Sequence, residues 1–282
     1  MIYTRIRGGL GNQLFQYCTA RVIADELGVN LGLDVREYEK TSIFKLGLSR
    51  FNLRAEYNPK KLIKHKKDGK IAYALDCILG NHRHVYEEQH LKFDNTVLSK
   101  PDGTYFKGYW QSEEYFKSNR IQILNDLEIT KKPSEKNIST LNDIENCLAV
   151  SLHIRRGDYI SNNSTHGTCD LAYYERAVGH LVNRLGKDIV IFAFSDDPGW
   201  VSKNLRLPVN IRYIKHNSSD KNYEDLRLMS HCKHNIIANS SFSWWGAWLN
   251  KNPKKLVIAP ERWFSNAKVT NPDIIPIQWI RL

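Results

Sequence analysis

Two runs in the second half of the chain, 189–194 and 235–238, are apolar without the alternation of a half-exposed strand. This pattern predicts strands that are buried on both faces of a parallel sheet. Further strands are predicted at 148–154, 210–214 and 255–259, and helices at 170–185, 222–232 and 243–250, with a shorter helix after Pro198. Strands and helices that alternate through short loops predict a doubly wound, Rossmann-like domain.

The N-terminal part of the chain predicts a second α/β unit. A strand at 2–6 leads into a Gly-rich loop at 7–12, a helix from about 13 to 27 and a strand at 30–35. Another strand is predicted at 105–110, with a helix beginning near Ser112. The polar, Pro-bearing segment 131–140 is the predicted linker, which gives domains at 1–140 and 141–282.

Composition limits the classes of protein and of site. The five cysteines are odd in number and form no CxxC or Cys/His cluster, and no apolar run reaches the ~18 residues of a membrane helix. These features predict reduced thiols, a cytoplasmic protein and no metal site. The net charge of +11 favours a polyanionic partner. The main basic run is Lys60, Lys61, Lys64, Lys66, Lys67 and Lys70, which is either a solvated helix face or a contact with an anionic membrane.

Polar residues follow the predicted strand at 148–154, where a parallel sheet of this kind binds ligands. His153 and Arg155 share one strand face, so they project together near the carboxyl end. An arginine there predicts an anion site, because its guanidinium binds phosphate through a fixed set of donors. The alternative is a structural ion pair that involves Arg156 or Asp158.

Two further strand ends carry candidate binding residues. Asp196 and Asp197 either cap the next helix or accept hydrogen bonds from a ribose or a guanine edge. Ser240, Ser241 and Phe242 open the helix after the strand at 235–238. A helix N-terminus with nearby hydroxyl groups binds anions, although the same serines also suit simple capping.

Five segments together resemble glycosyltransferase family 11, the α-1,2-fucosyltransferases. They are Arg-Gly-Gly-Leu-Gly-Asn-Gln-Leu-Phe-Gln at 7–16, Phe-Lys-Gly-Tyr-Trp-Gln-Ser at 106–112, His-Ile-Arg-Arg-Gly-Asp at 153–158, Phe-Ser-Asp-Asp at 194–197 and Asn-Ser-Ser-Phe-Ser-Trp-Trp-Gly at 239–246. The Gly-rich segment alone is weak, since it is neither GxGxxG nor a Walker loop. The segments occur in the family's order, whereas residues 36–100 carry no family signal.

The resemblance implies a GT-B architecture of two Rossmann-like domains with the donor cleft between them. It implies GDP-β-L-fucose as donor, inversion at the transferred sugar and no metal. Residue by residue, it implies that Arg155 contacts the diphosphate, His153 the guanine, and Ser240 and Ser241 the β-phosphate, with Phe242 in the same motif.

The remaining family residues are assigned in the same way. The resemblance implies that Asp196 or Asp197 reads guanine, and that Gly11 and Asn12 close the pocket. Asp158 is the motif carboxylate, with either a catalytic role or an orienting role toward the arginines.

The expected activity is fucosyl transfer to the 2-hydroxyl of a terminal galactose in a surface glycan such as an O-antigen, including lipid-linked acceptors. The aromatic candidates for the acceptor site are Tyr109, Trp110, Trp244 and Trp245. The alternatives are another fucosyl linkage, a basic membrane- or nucleic-acid-binding module, and a Trp-based lectin. No RRM, KH or helix-turn-helix pattern is present, so a nucleic-acid partner is not expected.

Overall fold

The computed structural model describes residues 1–39, 44–59, 84–157 and 167–282. The chain forms two compact units, Met1–Glu128 and Ile129–Leu282. The segment predicted as a linker therefore lies in the second unit, and much of it is helical, because a helix covers Glu135–Glu145. This helix is mostly polar and buries only Asn137 and Ile144, so hydrophobic periodicity does not reveal it.

The first unit is a parallel sheet with helices. Its elements are β1 (Ile2–Arg5), α1 (Leu10–Glu26), β2 (Leu31–Asp34), β3 (Glu56–Tyr57), β4 (Val85–Glu87), β5 (Tyr105–Lys107) and α2 (Arg120–Asp126). The strand order is β3-β2-β1-β5-β4, and every pair is parallel. Short 3₁₀ turns occupy Arg36–Tyr38, Leu48–Arg50, Asn95–Val97, Glu113–Tyr115 and Lys117–Asn119.

Helix α1 begins earlier than predicted. The sequence placed Leu10, Gly11 and Asn12 in a loop, but they form the first turn of the helix. Gly9 is the N-cap residue, and its carbonyl accepts hydrogen bonds from the backbone amides of Asn12 and Gln13 at 3.0 and 3.1 Å. The loop after β1 is therefore short, and the first helical turn lies close to the carboxyl end of the strand.

The second unit contains a six-stranded parallel sheet. Its elements are α3 (Glu135–Glu145), β6 (Leu148–Ile154), α4 (Leu171–Leu185), β7 (Ile189–Ser195), α5 (Pro198–Asn204), β8 (Asn210–Tyr213), α6 (Asn222–His231), β9 (His234–Ile236), α7 (Ser241–Trp248), β10 (Val257–Ala259) and β11 (Ile280–Arg281), with a 3₁₀ turn at Ser219–Lys221. The strand order is β11-β10-β9-β6-β7-β8. This is the doubly wound order predicted for the second half of the chain, with its switch point between β6 and β9.

The two faces of this sheet carry separate cores. Val150, Leu152 and Ile154 of β6 pack in one core with residues of α4. Ala149, on the opposite face of β6, packs in the other core with Leu228 and Met229 of α6. This alternation confirms the predicted strand and directs its other side chains, including that of His153, toward the second face.

Candidate active site

The second unit places polar groups at the carboxyl edge of its sheet, beside the switch point. β6 and β7 end together, since His153 pairs with Phe194 and Ile154 with Ser195 in the parallel register. α7 begins five residues after the end of β9, which is the neighbour of β6 on its other side. Residues from all three elements therefore reach the position where doubly wound sheets bind nucleotides.

His153 is a buried histidine with an unused ring nitrogen. It is 3 % exposed, and its ring centroid lies 5.6 Å from that of Phe242 in α7. Its Nδ1 has no hydrogen-bond partner in the described parts of the chain. Burial lowers the pKa of His153 to about 4, with Asp196 opposing the shift and Arg155 adding to it. The imidazole is therefore neutral at physiological pH.

Asp196 holds the segment that follows β6. Its Oδ2 lies 3.1 Å from Nη1 of Arg155, and its Oδ1 accepts a hydrogen bond of 2.9 Å from the backbone amide of Arg156. Gly157 leaves room for this arrangement, because a Cβ atom there would lie 2.7 Å from Oδ2 of Asp196. Both carboxylate oxygens thus orient the arginine motif, and the guanine-reading role of Asp196 stays a prediction.

Asp197 caps a helix, which is one of the two alternatives that the sequence predicts for it. Its side chain accepts a hydrogen bond of 3.0 Å from the backbone amide of Trp200 at the start of α5. Its Oδ2 also lies 3.8 Å from Nε of Arg156. The guanidinium carbon of Arg156 lies 3.5 Å from the centroid of the Trp200 ring. Sequence reasoning did not identify Trp200, which stands three residues after the aspartate at the start of a short helix.

Four helices of the described ranges begin at this edge, and α7 differs from the other three. Asp170 caps α4 through the backbone amide of Tyr173, and Asp197 caps α5. The first turn of α6 contains two acidic residues, Glu224 and Asp225. The first turn of α7 has no acidic residue, and the side chain of its N-cap residue Ser240 makes no capping hydrogen bond.

The N-cap residue of α6, Lys221, makes no side-chain capping hydrogen bond either, but acidic residues follow it. Of these four helices, α7 alone combines a first turn without an acidic residue with an N-cap side chain that makes no capping bond, so its amides and the positive end of its dipole are left for an anion. Ser241 and Phe242 are the first two residues of α7, and both are partly exposed. Asn239, just before the N-cap, donates to the carbonyls of Gly167 and Trp263, both at 3.1 Å. These bonds fix the turn that leads into the helix, so the amides of α7 are held in place.

The first unit has its own switch point between β1 and β5, and α1 joins the two loops there. Oε1 of Gln16 accepts from the backbone amide of Arg7 at 2.9 Å, and its Nε2 donates to the carbonyl of Gly108 at 3.0 Å. Nε2 of Gln111 donates to Oδ1 of Asn12 at 2.8 Å. Gly11 is buried in the same helical turn. The role of Gly11 and Asn12 at the donor stays a prediction.

Of the four aromatic candidates for the acceptor site, three are core residues. Trp110 is 1 % exposed, and Trp244 and Trp245 are 0 % exposed. The Trp side chains of α7 pack on one another and on Trp279, which explains their burial. Tyr109 is partly exposed, and the guanidinium carbon of Arg7 lies 5.5 Å from its ring centroid.

Two predicted features, Asp158 and the basic run of 60–70, lie outside the described residues. Within the described ranges, no group of three or more His, Cys, Asp or Glu side chains is placed to hold a metal ion. The helices of these same ranges include none that is long and apolar enough to cross a bilayer.

Comparison with solved structures agrees with the two-unit architecture. Arabidopsis thaliana FUT1, in the R284K form with GDP, matches with a TM-score of 0.54 and 10 % identity over 98 % of this chain and 75 % of that one. The fucosyltransferase NodZ from Bradyrhizobium matches with a TM-score of 0.51 and 12 % identity over 87 % and 91 % of the two chains. At these identities the likeness concerns the fold, which is the predicted GT-B class with two parallel α/β units.

Two curated relatives match over almost the full length of both chains, and a third matches over about half of this chain. An alpha-1,2-colitosyltransferase of Escherichia coli is 32 % identical over 298 aligned positions, which cover all of this chain and 99 % of that protein. The O-antigen biosynthesis glycosyltransferase WbnK of Escherichia coli is 30 % identical, over 94 % of this chain and 95 % of its own. The galactoside 2-alpha-L-fucosyltransferase Sec1 of Mus musculus is 24 % identical over 51 % of this chain and 41 % of its own. The profile of Glycosyl transferase family 11 matches residues 60–282. The chain belongs to glycosyltransferase family 11.

Proposed function

We propose that the protein is an inverting fucosyltransferase that moves L-fucose from GDP-β-L-fucose to the 2-hydroxyl of a terminal galactose. The observation that carries the proposal is the uncapped N-terminus of α7 beside His153 and Arg155 at the switch point of a family 11 chain. A diphosphate is the part of a sugar nucleotide that such a helix start and arginine recognise.

The donor is held by groups of complementary charge. The backbone amides of the first turn of α7 and the hydroxyls of Ser240 and Ser241 hold the β-phosphate, while Arg155 neutralises the diphosphate. His153 is neutral, and its Nδ1, which has no partner within the described residues, makes a hydrogen bond with the nucleoside part of the donor. Asp196 keeps Arg155 in position through their ion pair.

The reaction separates charge. The bond between C1 of fucose and the phosphate oxygen breaks as positive charge builds on the sugar and negative charge on the departing GDP. Arg155 and the α7 amides stabilise the negative charge without a metal ion. The acceptor hydroxyl attacks C1 from the opposite face, and its proton passes to a base. Asp158 is the candidate for that base, or else it orients Arg155.

Colitosyl transfer is a second candidate, because one of the full-length relatives is an alpha-1,2-colitosyltransferase. Colitose is fucose without its 3-hydroxyl, so the two donors differ by one hydrogen-bonding group. A site that hydrogen-bonds this hydroxyl disfavours the deoxy donor by about 10⁴ or more. The ratio of kcat/KM for GDP-L-fucose and GDP-L-colitose decides between them, and a ratio below one would assign the chain to colitose.

We also propose that the acceptor is a surface glycan, including a lipid-linked one, in line with the O-antigen role of the relative WbnK. In this setting the basic run of 60–70 makes a peripheral contact with anionic lipid, each Lys contributing about 1 kcal/mol near the surface. Co-sedimentation with phosphatidylglycerol vesicles at low and high salt tests this contact. Binding that is absent at low salt would refute it.

The donor assignment is tested most simply by ligand-induced stabilisation. GDP should raise the melting temperature, whereas an oligonucleotide or a free sugar at the same concentration should not. Stabilisation by the oligonucleotide alone would favour a nucleic-acid-binding module, and stabilisation by free galactose alone would favour a lectin. Ser241→Asp, which places a negative charge at the start of α7, should reduce the effect of GDP.

A further inference from the structure

The turn after β5 is fixed by the carboxylate of Glu88, the residue that follows the neighbouring strand β4. Oε2 of Glu88 accepts a hydrogen bond of 2.8 Å from the backbone amide of Tyr109, and Oε1 accepts one of 2.9 Å from the amide of Trp110. The backbone amide of Glu88 itself donates to the carbonyl of Lys107 at 2.8 Å. Glu88 therefore binds both the end of β5 and the turn that follows it.

This turn has a strained backbone. Trp110 has a φ of 54°, which is unfavourable for a bulky residue. Gly108 approaches Glu88 so closely that a Cβ atom there would lie 2.6 Å from Cβ of Glu88. Strain of this kind persists where the surroundings determine the conformation, and it is concentrated at functional positions.

The strained turn presents Tyr109 beside Arg7. Trp110 is anchored in the core and stacks on Tyr86, so the side chain of the preceding residue is left at the surface. Gln16 ties the backbones of Arg7 and Gly108 together from the other side, as described above. The Arg7–Tyr109 pair is thus held by a side chain on each flank, at the switch point of the first unit.

The pair has the chemistry of a sugar subsite. An aromatic ring offers an apolar face to the C–H groups of a pyranose, and a guanidinium offers donors to its hydroxyls. Nε of Arg7 makes no hydrogen bond within the described residues, and Oε1 of Glu37 lies 4.0 Å from it. Arg7 therefore keeps hydrogen-bonding capacity for a ligand.

We infer that Arg7 and Tyr109 form a subsite for the acceptor sugar, and that Glu88 is the positioning residue that sets this subsite. The inference rests on the proposed function, because it takes the acceptor to be a galactoside. The ligand class is a neutral β-galactoside, bound by ring stacking and hydroxyl hydrogen bonds. Glu88 acts on it only through the backbone of Tyr109 and Trp110.

Glu88→Gln tests the positioning role, since an amide nitrogen cannot accept a hydrogen bond from a backbone amide. We expect the Kd for lactose or a Galβ1,3-linked disaccharide, measured by saturation-transfer NMR, to rise about tenfold, because one partly buried acceptor is lost. The Kd for GDP should stay within about twofold. Glu87→Gln is the matched control, because Glu87 is exposed and adjacent.

A double-mutant cycle separates positioning from general stability. Tyr109→Ala should weaken disaccharide binding, Tyr109→Phe should largely keep it, and Glu88→Gln should add little once Tyr109 is alanine. The positioning role would be overturned if the effects of Glu88→Gln and Tyr109→Ala on disaccharide binding were independent. It would also be overturned if Glu88→Gln weakened GDP binding and disaccharide binding equally. If the wild-type protein binds GDP but neither disaccharide, the subsite is wrong and the donor assignment stands. If it binds a disaccharide but not GDP, the proposed function fails instead.

Discussion

Arg155 and Asp196 form an ion pair across the first two strands of the second unit, with Nη1 of the arginine 3.1 Å from Oδ2 of the aspartate. Their strands end in register, so the pair lies at the carboxyl edge of the sheet. The arginine is 24 % exposed, so part of its side chain remains accessible to a ligand. This geometry suits a guanidinium that is already oriented before the diphosphate arrives.

Arg155→Lys should lower kcat/KM by about 10²–10³, because lysine keeps the charge but loses the planar set of donors. Steady-state kinetics with GDP-fucose measure the loss, and Arg176→Lys on the exposed surface of α4 serves as the control. Near-normal activity in Arg155→Ala would remove this residue from the mechanism.

Ser241→Asp should weaken GDP binding by about tenfold or more, because a carboxylate at the start of α7 repels the diphosphate. The same change should leave the melting temperature unchanged or raise it slightly, since an acidic residue suits a helix N-terminus. Asn222→Asp makes the equivalent change at the first residue of α6 and should not affect GDP. Calorimetric titration measures the GDP affinity of the wild type and of both variants. If Ser241→Asp bound GDP as tightly as Asn222→Asp and the wild type, the result would argue against the α7 site.

Because His153 is buried, the free energy of unfolding should fall as the pH becomes acidic. The pKa falls from 6.5 to about 4 on folding, so the unfolded chain binds the proton more tightly in that window. This shift makes the free energy of unfolding roughly 3 kcal/mol higher above pH 6.5 than below pH 4. The contribution is fully present above pH 6.5 and is lost as the pH falls toward 4.

His153→Gln should therefore lose less stability than the wild type between pH 6.5 and 4. Denaturant unfolding across this range measures the difference, with His231→Gln at an exposed position as the control. Burial also lowers the pKa values of His216 and His234, so part of the wild-type acid sensitivity should remain. Parallel pH profiles for His153→Gln and the wild type would contradict the assignment.

Activity should survive an excess of EDTA, because Arg155 and the α7 amides take the role that a divalent cation plays in other transferases. The assay compares initial rates before and after chelation. Loss of activity on chelation, followed by recovery with Mn²⁺ or Mg²⁺, would require a different account of leaving-group stabilisation.

The second unit was more predictable from sequence than the first. Its long central strands, such as Leu148–Ile154 and Ile189–Ser195, are buried on both faces and therefore appear as apolar runs. β3 and β4 have only two and three residues, mostly exposed, and too short to show a period. The sequence of α3 predicts a linker, because its surface is polar and few of its residues are buried.

At the site, sequence patterns identified the strand ends but not the partners that organise them. The alternation of β6 placed His153 and Arg155 on one face, whereas the Arg156–Trp200 contact depends on how α5 packs. Likewise, Glu88 stands 21 residues before Tyr109, and only the pairing of β4 with β5 brings them together. Such contacts depend on tertiary structure, which a local pattern does not encode.

The most direct measurement of the central claim is the linkage of the product. The protein is incubated with GDP-L-fucose and a Galβ1,3-linked disaccharide, and the product is assigned by NMR. We predict an α-linked fucose on the 2-hydroxyl of galactose, formed with inversion of the donor. An α-1,3 or α-1,6 product would refute the acceptor assignment, and failure to transfer fucose at all, with no binding of GDP, would contradict the account.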